Sequence, residues 1–321
     1  MTAIFVVLTA AIFYVYSHEL DPPATDYNIG ENGLWLGSKW YHGKVTEKDI
    51  ESMAGLLKEH QIRYAYFHCR DITATGEQRF PPTDAARHLI DALHRLCPNV
   101  KVIAWVGAVN IHTGGEVDLS KTAVRERMVA AAEQLTKGVG FDGIQWDFEM
   151  TFDGDQHYLE LLRATRAKIP TGSNLGADAH FFWSSSYIKQ VAAEVDQLPV
   201  MAYDTVAFLP QNYLGTMRET VINFSKAAAE ANPRCRVLIG VPTYEEFSFV
   251  HFYSETLNIA LMGVKEGLAS PACKRESIAG IAPYPSTPQT TPSGNYTIAT
   301  GSARIRNPNK KSAHRRSFQP G

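Results

Sequence analysis

The feature that most constrains this chain is a rhythm. Eight short apolar runs, at 33–41, 62–69, 100–109, 141–149, 174–180, 198–204, 236–244 and 277–284, alternate with stretches of helical spacing. The first such stretch opens at Thr46, an N-cap residue, and places Ile50, Met53, Ala54 and Leu57 on one face. A helix at 84–96 repeats the pattern with Leu89, Ile90, Leu93 and Leu96, and further helices are expected at 121–137, 155–168, 184–195, 213–231 and 255–267. Runs this apolar are buried on both faces, as strands of a parallel sheet are when helices cover them. Eight repeats within about 260 residues predict an α/β fold, a closed (β/α)8 TIM barrel spanning 29–285 as one domain. No glycine-rich phosphate loop follows the early strands, which speaks against a nucleotide-binding open sheet.

The remaining sequence frames that barrel. Residues 2–17 carry no charged side chain and are followed by a polar, proline-containing stretch. This predicts a targeting segment over 1–17, a signal peptide or a membrane anchor, and hence an extracytoplasmic protein, secreted or tethered. Residues 286–321 are rich in proline, small polar and basic residues and are expected to form a disordered tail. A net charge of -2 gives no reason to expect a nucleic-acid partner. Four cysteines are too few for a disulfide scaffold, although Cys235 and Cys273 fall in loops entering neighbouring strands and are the pair a bridge would join.

The fourth run, FDGIQWDFE at 141–149, carries the chemistry. Strand alternation sends Gly143, Gln145, Asp147 and Glu149 to one face and Ile144, Trp146 and Phe148 to the other. The alpha carbons of Asp147 and Glu149 then stand about 6.6 Å apart, at roughly 3.3 Å per residue. Two acids that close do not ionise independently, so one is expected to hold a proton near neutral pH. In a parallel barrel the site forms at the carboxyl ends of the strands, and the acids at 178, 204, 245 and 246 fall at such ends too.

DGIQWDFE resembles the D-x-x-D-x-D-x-E signature of glycoside hydrolase family 18, the chitinase type. Met201-Ala-Tyr203-Asp204 is similar to that family's M-x-Y-D segment, and Gly240-Val-Pro242-Thr-Tyr244 to its G-x-P-x-Y. The resemblance implies a retaining, substrate-assisted hydrolase of N-acetylglucosamine-containing glycans that needs no cofactor and no metal, with an oligosaccharide or polysaccharide as its partner. It makes Glu149 the acid and base, and gives Asp147 and Tyr203 the task of holding the acetamido group. Asp204 would line the same subsite. Gln145, Asp178, Tyr244 and Trp40 are further candidates for the substrate site, with Trp40, Trp183 and Tyr244 as stacking faces. Asp142 points the other way and is expected to be structural.

Three departures stand beside the matches: Gln145 replaces the signature's second acid, Trp105-Val-Gly107 replaces an S-x-G-G segment, and the eighth strand ends in Tyr284 where tryptophan is common. Two alternatives follow from the same residues. One is a barrel that binds glycans without cleaving them. The other is a metal-dependent enzyme with Asp147, Glu149, Asp178 and Asp204 as oxygen ligands.

Overall fold

The computed structural model describes residues 28–243 and 252–284, with short pieces at 6–7, 9–10, 288–290 and 296–298. Most of the 1–17 targeting segment and of the 286–321 tail lies outside the described residues. Of the tail, Pro288–Thr290 and Tyr296–Ile298 pair as antiparallel strands. No helix among the described residues is long and apolar enough to cross a membrane.

The strands run β1 (Asn32–Leu36), β2 (Ile62–Asp71), β3 (Lys101–Val109), β4 (Gly143–Glu149), β5 (Asn174–Ala177), β6 (Ala179–His180), β7 (Gln197–Met201), β8 (Arg236–Pro242) and β9 (Ile278–Tyr284). Between them lie α1 (Glu47–Glu59), α2 (Asp84–Leu96), α3 (Thr122–Glu133, extended by a π-helical turn over Gln134–Val139), α4 (Gln156–Lys168), α5 (Ser185–Glu194), α6 (Pro210–Ala231) and α7 (Leu257–Ala269). All neighbours in the main sheet are parallel and follow chain order, with β5 and the two-residue β6 acting as the two halves of one strand along β7. The result is a nearly closed barrel of eight parallel strands, the (β/α)8 architecture. At the seam between β9 and β1 a side chain completes the ring, as Asn32 Oδ1 accepts the N–H of Ile281 at 3.2 Å.

Local signals in the sequence explain the helix ends. Thr46 and Asp49 form a capping box on α1, Asp155 caps α4 by accepting from the N–H groups of His157 and Tyr158, and Ser184 and Thr256 cap α5 and α7. Outside the ring, one core cluster joins strand and helix side chains, among them Ile144, Trp146 and Phe148 of β4. A second cluster fills the lumen, made of Trp35, Tyr66, Ile103, Trp105, Tyr203, Leu238, Ala279 and Ala282. Alternation along each strand sorts residues between the two.

Several expected boundaries shift. The first run ends as a strand at Leu36, because 37–44 fold back through hydrogen bonds such as Gly43 N–H to Trp40 O and Lys44 N–H to Lys39 O. The fifth run breaks at Asp178, whose N–H bonds Trp146 O at 2.9 Å. The sixth ends at Met201, where Ala202 N–H turns back to Val200 O. The four cysteines are free thiols, so the Cys235–Cys273 bridge is not formed; Cys273 Sγ instead accepts from Ser225 Oγ at 3.5 Å.

Candidate active site

Strand β4 delivers its polar face into the lumen as alternation requires. Gln145 is fully buried, Asp147 is 7% exposed, and Glu149 stands exposed at the rim. The opposite face locks the strand to its helix: Trp146 Nε1 donates to Thr165 Oγ1 at 3.1 Å, and Phe148 stacks on Tyr158. Asp142 is structural, accepting from Val102 N–H at 2.8 Å and contacting His94 Nε2 at 3.0 Å.

Asp147 is held on one side only. Trp105 Nε1 donates to its Oδ2 at 2.9 Å, while its Oδ1 is buried with no hydrogen-bond partner among the described residues. Burial, then the charge of Glu149, push the Asp147 carboxyl up to about 7; the Trp105 N–H pulls it down and Asp71 adds a further push upward. Partial burial, then the charge of Asp71, raise Glu149 as well. The site therefore holds a proton on β4 near neutral pH, through two acids whose titrations are coupled.

Gln145 does not face Asp147. Its Oε1 accepts from Trp35 Nε1 at 3.2 Å, and its amide nitrogen donates to Asp178 Oδ1. Asp178 is 2% exposed, and burial followed by the charge of Asp147 pushes it well above the usual carboxylate range. Tyr203 lies flat against Tyr284, with ring centroids 5.0 Å apart, and Trp35 meets both rings edge-on. Glycine at 240 makes room for this stack, since a Cβ there would lie 2.5 Å from Val200 O and 3.0 Å from the Tyr203 ring. Asp204 is exposed, in a left-handed conformation, at the start of the loop that leaves β7. Asp147, Glu149, Asp178, Gln145 and Tyr203 thus share the lumen and its mouth.

Trp40 is not at this site. It is 1% exposed and packs edge-on against Phe67 in the outer core, because the chain has already turned back before reaching it. Trp183 is likewise buried, against Tyr187, with Nε1 bonded to Thr151 O. Tyr244, Glu245 and Glu246 lie outside the described residues. No group of three or more His, Cys, Asp or Glu among the described residues is placed to hold a metal ion.

Of four further residues at the site, Trp35 and Asp71 were not singled out from sequence, and Trp105 and Tyr284 were named only as departures from the family's pattern. Trp35 and Trp105 each donate an indole N–H to a lumen side chain, and Tyr284 covers Tyr203. Asp71, at the end of β2, pairs with His68 Nε2 at 3.5 Å, and the His68 ring stacks on Trp105 with centroids 4.3 Å apart. The signal for Trp35 and Trp105 was alternation, which puts both on the inward face. Asp71 needed the second strand to run two residues past Cys69.

No protein-family model matches the sequence, and no curated protein does. Solved structures do resemble it. The chitinase domain of the spore coat protein CotE from Clostridium difficile superposes with a TM-score of 0.50 at 19% identity, over 74% of this chain and 72% of that one. The fold is one that chitinase domains share. The C-terminal domain of a candidate chitinase from Desulfitobacterium hafniense DCB-2 gives a TM-score of 0.50 at 16% identity over 66% of each chain, so the chain spans just under two thirds of that domain. A family 18 chitinase from Cycas revoluta, solved as a mutant with (GlcNAc)4, aligns at 18% identity over 66% of this chain and 69% of that one, with a TM-score of 0.49. At these identities the likeness covers the chitinase-type barrel, and the chemistry rests on this chain's own residues.

Proposed function

We propose that the protein is a retaining glycoside hydrolase that cleaves N-acetylglucosamine-containing glycans with the substrate's acetamido oxygen as nucleophile. The observation that carries this is the pair on β4: a buried Asp147 with one oxygen free toward the lumen, and two residues on, an exposed Glu149 with a raised carboxyl pKa. Glu149 protonates the glycosidic oxygen as the bond breaks, and its carboxylate then takes a proton from the attacking water. The Asp147 carboxylate accepts the acetamido N–H and stabilises the positive charge that develops on that group. Tyr203 bounds the same space and supplies a hydroxyl toward the acetamido oxygen. The Tyr203, Tyr284 and Trp35 rings form an apolar floor suited to the methyl group and the flat face of a sugar. A metal-dependent reading loses support from the scatter of its four carboxylates, of which Asp178 is tied to Gln145 and Asp204 lies out on its loop.

Release of reducing sugar from chitooligosaccharides, with the β-anomer as first product by NMR, tests the proposal. Glu149→Gln is expected to abolish turnover, by about 1000-fold or more, and to leave binding. Turnover that persists in that variant overturns it, and a wild-type protein that binds these sugars without releasing any is the glycan-binding barrel instead.

A further inference from the structure

Asp147 has an orphaned oxygen, and an acid able to serve it stands on the neighbouring strand. Gln145, two positions back on the same face, is turned away. Trp35 is a pure donor, so its N–H fixes the carbonyl end of Gln145 and the amide nitrogen must point to Asp178. The register that pairs Trp146 with Ala177 places Asp178 beside Asp147, across a strand spacing of roughly 4.8 Å. The bond from Asp178 N–H to Trp146 O holds that register at the break in the strand.

The groups that act electrostatically with Asp178 are Asp147 and Glu149 of β4, Tyr66 of β2, Tyr158 of α4 and Tyr284 of β9. His180, two residues along its own strand, is pushed down to about 4 by burial and is neutral at neutral pH. None of these supplies a positive charge. Two carboxyls that are buried side by side without a cation retain at least one proton.

We infer that Asp178 is a positioning residue that holds this proton: its O–H donates to Asp147 Oδ1 and passes the proton over when Asp147 has to become neutral, with the Gln145 amide stabilising the carboxylate left on Asp178. In the transfer the O–H bond of Asp178 breaks, one forms on Asp147 Oδ1, and the negative charge moves from Asp147 to Asp178; the reverse step resets the pair. Burial and each other's charge raise both carboxyls, so the pair keeps a proton that either acid can carry. The part Asp147 plays in turnover rests on the hydrolase proposal, whereas the shared proton rests on the strand register and the burial of the two acids.

The test is a pH titration of the full chain carrying 13C-labelled aspartate carboxyls, made in the Glu149→Gln background and assigned with Asp178→Asn and Asp147→Asn. Two carbons should titrate in coupled steps, the upper one above about pH 7, and Asp178→Asn should remove the upper step and leave the lower. In the active protein, Asp178→Asn should lower kcat about tenfold or more with KM within about twofold, and change the alkaline side of the pH profile. Gln145→Asp added to Asp178→Asn puts an acid back beside Asp147 and should restore the upper step. An Asp178 carbon that titrates near about pH 4, indifferent to Asp147→Asn, overturns the inference. If Asp178→Asn does not fold, the response of the Asp178 carbon to Asp147→Asn decides it. If the wild type cleaves no chitooligosaccharide, the hydrolase proposal fails and the titration still judges the pair.

Discussion

At the residue scale, the chemistry turns on what burial does to Asp147. Its carboxyl stands at about 7 in the folded chain against an ordinary 3.8, so the folded state binds more protons than the unfolded one between these values. Stability contributed this way is fully present below about pH 4 and lost as pH rises through 7. Asp147→Asn keeps an acceptor for Trp105 and removes the ionisation. It should leave stability unchanged near pH 4 and raise it at pH 8, by an amount bounded at about 4 kcal/mol, while abolishing turnover. Urea denaturation of both proteins at the two pH values measures the difference, and equal gaps at both would show that Asp147 is not ionised at cost. Trp105 works in the opposite direction, since its N–H favours the charged form. Trp105→Phe should move the acid limb of the activity profile upward by about one pH unit, in line with the loss of a hydrogen bond to a charged group.

At the element scale, the loops that leave the strands carry the strain. Arg70, Met150, Asp204 and Val206 have positive φ, and all four lie where β2, β4 or β7 ends. For Val206, a β-branched residue, that conformation is costly, and something must hold it. Glu255, just before α7 and 1% exposed, does so: its carboxylate accepts from Thr205 N–H at 2.9 Å, Thr205 Oγ1 at 2.8 Å and Ala207 N–H at 3.3 Å. Glu255→Gln turns an NH2 toward these donors and should cost about 2–3 kcal/mol, read as a lower urea midpoint. KM should rise with it, because Asp204 sits on the same loop. A KM that stays put while stability falls would detach this loop from substrate binding.

The same scale shows what was legible in the sequence. The helices were, since the 3.6-residue spacing of apolar residues is local, and α2 falls at 84–96 as expected from Leu89, Ile90 and Leu93, without a side-chain cap. So was the inward face of β4, because period-two alternation is local. Strand ends were not: whether a run stops at Leu36 or at Tyr41 depends on hydrogen bonds to a neighbour and on the fold-back of 37–44, which no periodicity encodes. Trp40 was misplaced for that reason, and Asp71 was missed because β2 runs on to meet Gly107 of β3. The partner of Gln145 was hidden for a different one, as it comes from a strand 33 residues away.

At the scale of the whole molecule, the two ends of the barrel differ in surface chemistry. Apart from Val6, Val7 and Ile29, every large hydrophobic residue exposed among the described residues lies at or beyond the carboxyl end of a strand: Phe80, Val109, Ile111, Met150, Phe152, Phe182, Val206, Phe208, Leu209 and Tyr253. These lie toward the end of the barrel that holds Asp147 and Glu149. Scattered exposed apolar residues need no explanation, but their confinement to one face of a barrel does. A sugar chain offers apolar ring faces and no charge, so an apolar rim would bind it outside the lumen without requiring ion pairs, consistent with a chain of net charge -2. Phe182 stacks on His180 and Tyr253 is 61% exposed, so both can be cut back without opening the core. Replacing both by alanine should raise KM for a hexasaccharide about tenfold, near 1.4 kcal/mol, and leave KM for a disaccharide within about twofold. Raising the salt from about 20 to 500 mM should change neither value by more than about twofold, because screening acts only on charges. If instead the double variant weakens both substrates equally, the rim supports the mouth of the barrel rather than the outer sugars, and the length of the glycan must be read inside the lumen.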